Sequence, residues 1–583
     1  MSAAAPTSRP YPGLRLLLFL AAVALGWNVD GYRLLDPDEG RNAEVAREMA
    51  QTNDYLVPHL DGLPYLDKPV AYFAAAAALM EVLGPTEAAA RLPAYAATLA
   101  TIALLVAFAR RRWGTDAGWL AGIAYATMVL PLVYARTAIF DSTLTLCTTA
   151  AILWFFEERP MLAWAAMGAG VLTKGPIALA IPLLALIPHA LATGTRLRRL
   201  FPWRAVGVFA LVVLPWFLAV SIRIPEFPYY VLVRETLQRV ATGSFHRTAP
   251  FWYYLPIVPV AAFPWIVPAL GGAGARGWQA VWAARRTPEA REPLLLASWV
   301  IVPLVLFTLN QSKLPQYVLP LMPAIALAAT RNIVVSAGGG AAWRVYTAIA
   351  VVAGIALVAL TRWLPAPIDL TPAEKVAIPP TALALGIALF ASAILVAVGA
   401  QRRRREVVVA GYALVVITIP LASGRLLAAV GDDRSAAALA RATAAALDRV
   451  SGTEPRGPGG RGGGGAVLGI LAYPPSLAFY LGRPVAVATP TGVELTSNYI
   501  ADYQDRYRDV TGSPLLPEGY WREALSRCPL PTVFVTTAAN RAARAVLAAA
   551  LPLIAADGHY AAYGPCVPHV RPPSPQRGEG LRG

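Results

Sequence analysis

The sequence predicts an all-α polytopic membrane protein with a small α/β domain at its C-terminal end, and three observations predict it. Apolar runs recur from residue 13 to about 424. Each is close to the roughly 20 residues that carry a helix across a bilayer, where a helix satisfies its own backbone. Only 14% of the residues are charged, whereas soluble domains hold about 25%. After residue 424 the composition changes, and short β-branched runs follow a Gly- and Pro-rich stretch.

The first apolar run, 13–29, is too long and too poorly followed by small residues for a cleaved signal peptide, so it reads as a retained first span. Residues 30–69 form the first polar loop. Nine acids there outnumber four bases, as a non-cytoplasmic loop permits. The run 70–84 is short and is followed by Pro85, so it is expected as a re-entrant or interfacial helix. Further spans are expected at about 88–109, 117–135, 141–156, 161–174, 176–192, 205–222, 252–271, 293–309, 316–330, 344–362, 379–400 and 407–424, about 13 transmembrane helices in all.

The formal charge of +16 is carried largely by blocks between apolar runs: Arg110 to Arg112, Arg196 with Arg198 and Arg199, Arg285 with Arg286, and Arg402 to Arg405. That is the positive-inside pattern and not a nucleic-acid surface. With the N-terminus inside, every block falls on the cytoplasmic side. Lys68, Asp141, Lys174, Arg234, Arg239, Arg247 and Lys313 then all fall at the opposite face.

The transmembrane domain is accordingly read as 1–424 and a periplasmic α/β domain as 425–583. In the latter, 435–450 reads as an Ala-rich helix, 452–465 as a flexible Gly-rich link, 466–473 and 532–537 as buried strands, 540–553 as a helix, and the tail as disordered. Cys147 lies in a span and reads as packing. Cys528 and Cys566 share the outer domain, where an oxidising compartment would allow a disulfide. No metal-type cysteine spacing occurs.

Several residues could carry chemistry. Asp36-Pro37-Asp38-Glu39 reads equally as a capping box with proline at the first helical position and as a catalytic acid pair, Asp38 and Glu39, with one serving as general base. Only three lysines precede residue 320: Lys68, Lys174 and Lys313, each close to a proline in DKP, TKGP and SKLP. Charges at membrane ends can simply snorkel. A restriction of lysine to one face instead suits a phosphate held at the lipid boundary. Asp141 could pair with Arg136 or orient a lysine. The arginines of 234–247 suit phosphate oxygens, and Tyr317 reads as an interfacial anchor or a phosphate hydrogen-bond donor.

With these residues in place the chain resembles the dolichyl-phosphate-mannose protein mannosyltransferase superfamily, in particular the bacterial branch that holds the undecaprenyl-phosphate-aminoarabinose lipid A transferases. The resemblance is carried by DPDEGRNAEVAREM (36–49), VPHLDGLPYLDKPVAYF (57–73), RLPA (91–94), RTAIFDS (136–142), LTKGP (172–176), HRTAPFWYYLP (246–256) and SKLPQYVLP (312–320). It implies a C-type glycosyltransferase fold and an inverting transferase moving a sugar from a polyprenyl-phosphate donor to a lipid or protein acceptor at the periplasmic face of the inner membrane. A transporter or flippase of polyprenyl-linked sugars is the alternative. The resemblance further implies Asp38 as the activating acid, Lys68 on the lipid phosphate with Asp141 orienting it, and Lys174, Tyr317 and either Arg239 or Arg247 completing the phosphate site. Two departures bear on a divalent metal. Asp67 stands where the aminoarabinose branch has Glu before the motif lysine, and Thr236 stands where it has His. Asp67 and His246 are the remaining candidate ligands, and no cofactor is otherwise required.

Overall fold

The computed structural model describes residues 12–238, 249–271, 275–335, 342–363, 370–451 and 465–568. It divides into two compact units, Met1–Pro58 with Tyr65–Arg434, and His59–Pro64 with Ser435–Gly583.

The first unit is helical. In order come α1 (Pro12–Gly26), α2 (Asp38–Thr52), α3 (Ala71–Leu83), α4 (Glu87–Trp113), α5 (Thr115–Ala126), α6 (Val129–Ala135), α7 (Asp141–Phe156), α8 (Pro160–Lys174), α9 (Ile177–Thr193) and α10 (Trp203–Arg223). Among the helices that follow are Tyr254–Ala261, Ile266–Leu270, Pro288–Leu309, Met322–Val335, Ala342–Leu360, Pro372–Gln401 and Arg405–Ala422. The 27-residue α4 starts under Thr86, whose hydroxyl accepts from the Ala89 N–H at 3.1 Å, a side-chain N-cap. It ends in Arg110, Arg111 and Arg112, where cations suit the negative helix terminus.

Helix occupies each of the thirteen positions expected to span, and 70–84 is the separate short helix α3. Among the described residues seven helices are long and apolar enough to cross a membrane singly, fewer than the thirteen expected. Three reasons account for the difference. The expected span 117–135 is a pair, α5 and α6, bent by 69°. The expected span 252–271 is broken into helices of 8 and 5 residues, with Phe263-Pro264 between them. Helices α1, α7, α8 and α9 have only 15 to 17 residues. At 1.5 Å per residue they fall short of a ~30 Å core.

Buried polar contacts tie the helical segments together. The Trp265 indole N–H donates to the Thr127 hydroxyl at 2.8 Å, and that of Trp299 to the Pro320 carbonyl at 2.9 Å. Each indole buries a large apolar surface while keeping its N–H satisfied.

The second unit is α/β. Its six-stranded sheet runs β5 (Leu515–Leu516), β4 (Ala486–Ala488), β3 (Ala466–Ile470), β6 (Thr532–Thr537), β8 (Tyr560–Cys566), β7 (Leu553–Ala556). The first four strands pair in parallel, and β8 pairs antiparallel with both β6 and β7. The two runs expected as buried strands are β3 and β6, central in the sheet. Cys528 and Cys566 are disulfide-bonded, with Cα atoms 5.9 Å apart; Cys147 is buried and free. A two-stranded hairpin from the first loop, β1 (His59–Leu60) and β2 (Leu63–Pro64), also belongs to this unit. Its turn is Asp61-Gly62, both at positive φ, as a two-residue hairpin requires. Residues 452–464 of the Gly-rich link and the tail lie outside the described residues.

Candidate active site

Helix α2 supplies the acids. Asp38 is its first residue; its side chain is 37% exposed and accepts from Arg41 Nη2 at 2.6 Å. Glu39 lies one position on, about 100° around the helix, and points inward. Its two oxygens accept Arg91 Nε at 2.8 Å and Nη2 at 2.9 Å, the Ala138 N–H at 2.7 Å and the Leu35 N–H at 3.0 Å. Arg91, fully buried, places its remaining N–H groups on the carbonyls of Val29, Tyr32 and Arg33 at 2.7 to 3.0 Å, so all five guanidinium donors are used. Glu39 is therefore a structural tie, and the expected pair of acids separates into one open carboxylate and one saturated one. The Asp36–Glu39 capping box does not form either. Pro37 is the N-cap, without a side-chain cap bond, because Glu39 reaches back to Leu35 instead.

Two lysines follow. Lys68 Nζ donates to Glu235 Oε1 at 2.9 Å and to the Asp67 carbonyl at 2.5 Å. Glu235 sits in a π-helical turn, Tyr230–Gln238, a geometry that recurs at functional sites. The Tyr230 hydroxyl donates to Asp67 Oδ1, so the DKP motif is tied to this turn through both of its ionisable residues. Lys174 closes α8 and donates to Asp141 Oδ1 at 2.5 Å. Asp141 opens α7 and is 2% exposed. The Lys174 ammonium also lies 5.4 Å from the centre of the half-buried Tyr317 ring, within cation–π range. Of the two partners open to Asp141, the lysine is the one engaged. Arg136 turns to the Asn28 carbonyl at 3.3 Å and to the Tyr32 ring.

These groups share one electrostatic neighbourhood. The charges of Lys174, Asp38 and Lys68 all act on Asp141. Burial works against the charge of Arg41, but Tyr65, Asp38 and Asp67 together hold its guanidinium well above its ordinary pKa. Burial first, then Asp67 and Glu235, push the Tyr230 phenol far up. Burial does the same to Tyr65. Both phenols therefore stay neutral, and that of Tyr230 is the one that donates, to Asp67. What results is a buried, preorganised set of cations and O–H donors with one open carboxylate beside it.

Lys313 is not free in this arrangement. It is 6% exposed, and its ammonium donates to the carbonyls of Ala249 at 3.1 Å and Asn310 at 2.5 Å. Arg239, Arg247 and His246 lie outside the described residues. Among the described residues no three His, Cys, Asp or Glu side chains gather as metal ligands. Asp67 accepts from the Tyr230 hydroxyl and lies within the field of Arg41.

Sequence reasoning gave no role to Glu235, Tyr230, Arg41 or Arg91. Only Arg91 left a signal, as the lone charge of RLPA within an apolar helix.

Residues 67–218 match the family described as Dolichyl-phosphate-mannose-protein mannosyltransferase. Among curated relatives, the undecaprenyl phosphate-alpha-4-amino-4-deoxy-L-arabinose arabinosyl transferase of Aeromonas salmonicida (strain A449) is 34% identical over 51% of this chain and 56% of its own length. That of Serratia proteamaculans (strain 568) is 34% identical over 54% and 57%. The chain thus spans little more than half the length of the curated relatives it matches. The fold match is longer: the apo crystal structure of ArnT from Cupriavidus metallidurans superposes with a TM-score of 0.75 at 25% identity, covering 94% of this chain and 97% of that one. The same protein bound to undecaprenyl phosphate gives 0.75 at 24% identity, covering 95% and 98%. This is a multi-pass membrane protein of the C-type glycosyltransferase fold, and the resemblance read from its motifs to the dolichyl-phosphate-mannose protein mannosyltransferases and their bacterial aminoarabinose branch holds.

Proposed function

We propose that the chain is an inverting glycosyltransferase that moves a sugar from a polyprenyl-phosphate donor to a lipid or protein acceptor at the periplasmic face of the inner membrane. The names of its relatives favour an aminoarabinose-type donor, and the resemblance favours lipid A as acceptor. One observation carries the reading: Asp38 stands open beside a cluster in which two lysines, Lys68 and Lys174, are each aimed by a carboxylate.

In the reaction, an acceptor oxygen attacks the anomeric carbon as the bond from that carbon to the phosphate oxygen breaks. The electron pair leaves with the phosphate, and the acceptor proton passes to Asp38. Lys68 and Lys174 stabilise the charge that develops on the leaving phosphate, where preorganised cations lower the barrier most. Glu235 and Asp141 position them, and Tyr317 supports Lys174 from its ring face. Glu39, held by Arg91, fixes the first turn of α2 and thereby the direction of Asp38. The resemblance adds Arg239 or Arg247 as a further contact to the phosphate. Chemistry drawn this way uses no cofactor.

The outward placement rests on the segregation of arginine blocks from the lysine cluster and on the Cys528–Cys566 disulfide, which suits an oxidising compartment. All the relatives named above are transferases, and the transporter reading is set aside.

The test is reconstitution of the full chain in liposomes with a polyprenyl-phosphate-linked sugar and lipid A. A glycosylated acceptor that disappears in Asp38→Asn, with donor binding retained, is the expected result. Relocation of the donor without a product, or full turnover by the variant, would overturn it.

A further inference from the structure

At the end of the helices opposite the acids and lysines, α1, α4 and α5 enclose an open groove of about 850 Å³, towards the upper end of the ~300–1,000 Å³ usual for ligand sites. Its walls are apolar, Phe19 from α1 and Val106 from α4 among them, and Trp119 of α5 stands at one side. Three arginines line it: Arg15, Arg110 and Arg111. Beside the groove α5 lies close against α4. A Cβ on Gly118 would sit 2.8 Å from the Val106 carbonyl oxygen, and one on Gly122 2.7 Å from a Val106 methyl. Two glycines four apart on one helix face allow that approach, and α1 then bridges the pair.

We propose that this groove is a binding site for one anionic glycerophospholipid, with acyl chains along the apolar wall and its headgroup phosphate between Arg15 and Arg110. The charges decide the occupant. Among the described residues Arg111 is paired, with Glu157 at 2.6 Å, whereas no carboxylate pairs with Arg15 or Arg110. The Arg15 guanidinium is held instead over the Trp119 ring at 5.5 Å, which orients its fork without neutralising it. Two such cations at the mouth of an apolar groove on the basic side of a membrane protein match an anionic lipid headgroup. A zwitterionic lipid offers the same chains, but its own ammonium offsets the phosphate. The polyprenyl-phosphate donor is disfavoured because its phosphate is needed at the other end of the helices. That exclusion rests on the transfer reaction proposed above, whereas the groove and its two arginines do not.

The experiment is native mass spectrometry of the full chain released from nanodiscs made of equal parts phosphatidylglycerol and phosphatidylcholine. The chain is expected to retain one phosphatidylglycerol in preference to phosphatidylcholine. In Arg15→Gln/Arg110→Gln that preference is expected to fall about ten-fold, equivalent to ~1.4 kcal/mol. Arg405→Gln, in a different exposed basic block, is expected to keep it. In the wild-type chain a photoactivatable phosphatidylglycerol should label peptides covering residues 18–22 or 99–107, which keeps the proposal testable if the double variant misfolds. Equal retention of both lipids, equal loss in Arg405→Gln, labelling elsewhere, or stoichiometric displacement by added undecaprenyl phosphate would each overturn it.

Discussion

The two ends of the helical unit use charge in opposite ways. At one end Lys68, Lys174, Asp141, Glu39 and Arg91 are largely buried and bonded across elements far apart in sequence. At the other, Arg111 and Arg112 are 49% and 45% exposed at the side chain and meet Glu157 and Glu292 at helix ends. Burying a charge costs several kcal/mol unless it is paired with good geometry, so the first arrangement persists only where the groups are closely fitted. The second costs little and contributes little. The expensive charges therefore mark where chemistry is to be sought, and the inexpensive ones mark how the helices are anchored.

The largest expected effect falls on the open acid. Asp38→Asn keeps the Arg41 contact sterically but removes the proton acceptor, and a general base is worth about 10²–10⁴ in rate. Turnover is expected to drop by that range with donor binding unchanged, measured by product formation and by equilibrium binding of labelled donor. A loss confined to binding would show that Asp38 only shapes the site.

Next come the lysines. Lys174→Met removes a cation from the leaving phosphate, and loss of one preorganised charge-stabilising group costs about 10²–10³ in turnover. Because the variant also strands Asp141 in a buried position, the comparison is with Lys174→Met/Asp141→Asn. Restored thermal stability without restored turnover separates the chemical role of Lys174 from its structural one.

Third, Arg91→Met leaves Glu39 buried without its partner. Breaking a buried pair costs ~3–5 kcal/mol, so thermal unfolding in detergent should move down sharply. Glu39→Gln/Arg91→Met should recover part of that loss. A shift no larger than that of an exposed pair would remove the buried tie from the account of how Asp38 is held.

Much of this architecture was legible in the sequence, because lipid permits few solutions. Apolar length marked nearly every helix, and the separation of arginine from lysine marked two chemically different ends. Lys68 and Lys174 were readable as isolated charges beside prolines, and Asp141 as an isolated acid at the start of an apolar run. Their partners were not: Glu235 lies 167 residues from Lys68, and no local pattern announces a contact at that range. The division between Asp38 and Glu39 was hidden for another reason. Adjacent acids look alike in one dimension, and only the helix phase sends one to the open side and the other to Arg91. Where a run is broken was hidden in a third way, since hydropathy averages over the bend between α5 and α6 and the break at Phe263-Pro264.

The smallest expected effect lies at the opposite end, and it completes the contrast. Arg112 Nε donates to Glu292 Oε1 at 2.6 Å, with Nη2 2.5 Å from the same oxygen, and the Trp113 indole donates to the other oxygen at 2.9 Å. By count of contacts this joint between α4 and the helix Pro288–Leu309 rivals the Glu39–Arg91 tie. Exposure of the guanidinium decides otherwise: Glu292 is 15% exposed but Arg112 45%, so water solvates the guanidinium whether or not the carboxylate is there, the Trp113 indole still holds the carboxylate, and salt screens what remains. Arg112→Gln should therefore cost no more than about 1 kcal/mol, should lose even that at high ionic strength, and should leave turnover unchanged. Thermal unfolding at low and high salt, run beside Arg91→Met, gives the ratio directly. A cost for Arg112→Gln equal to that of the buried pair would mean that burial is not what separates the two ends.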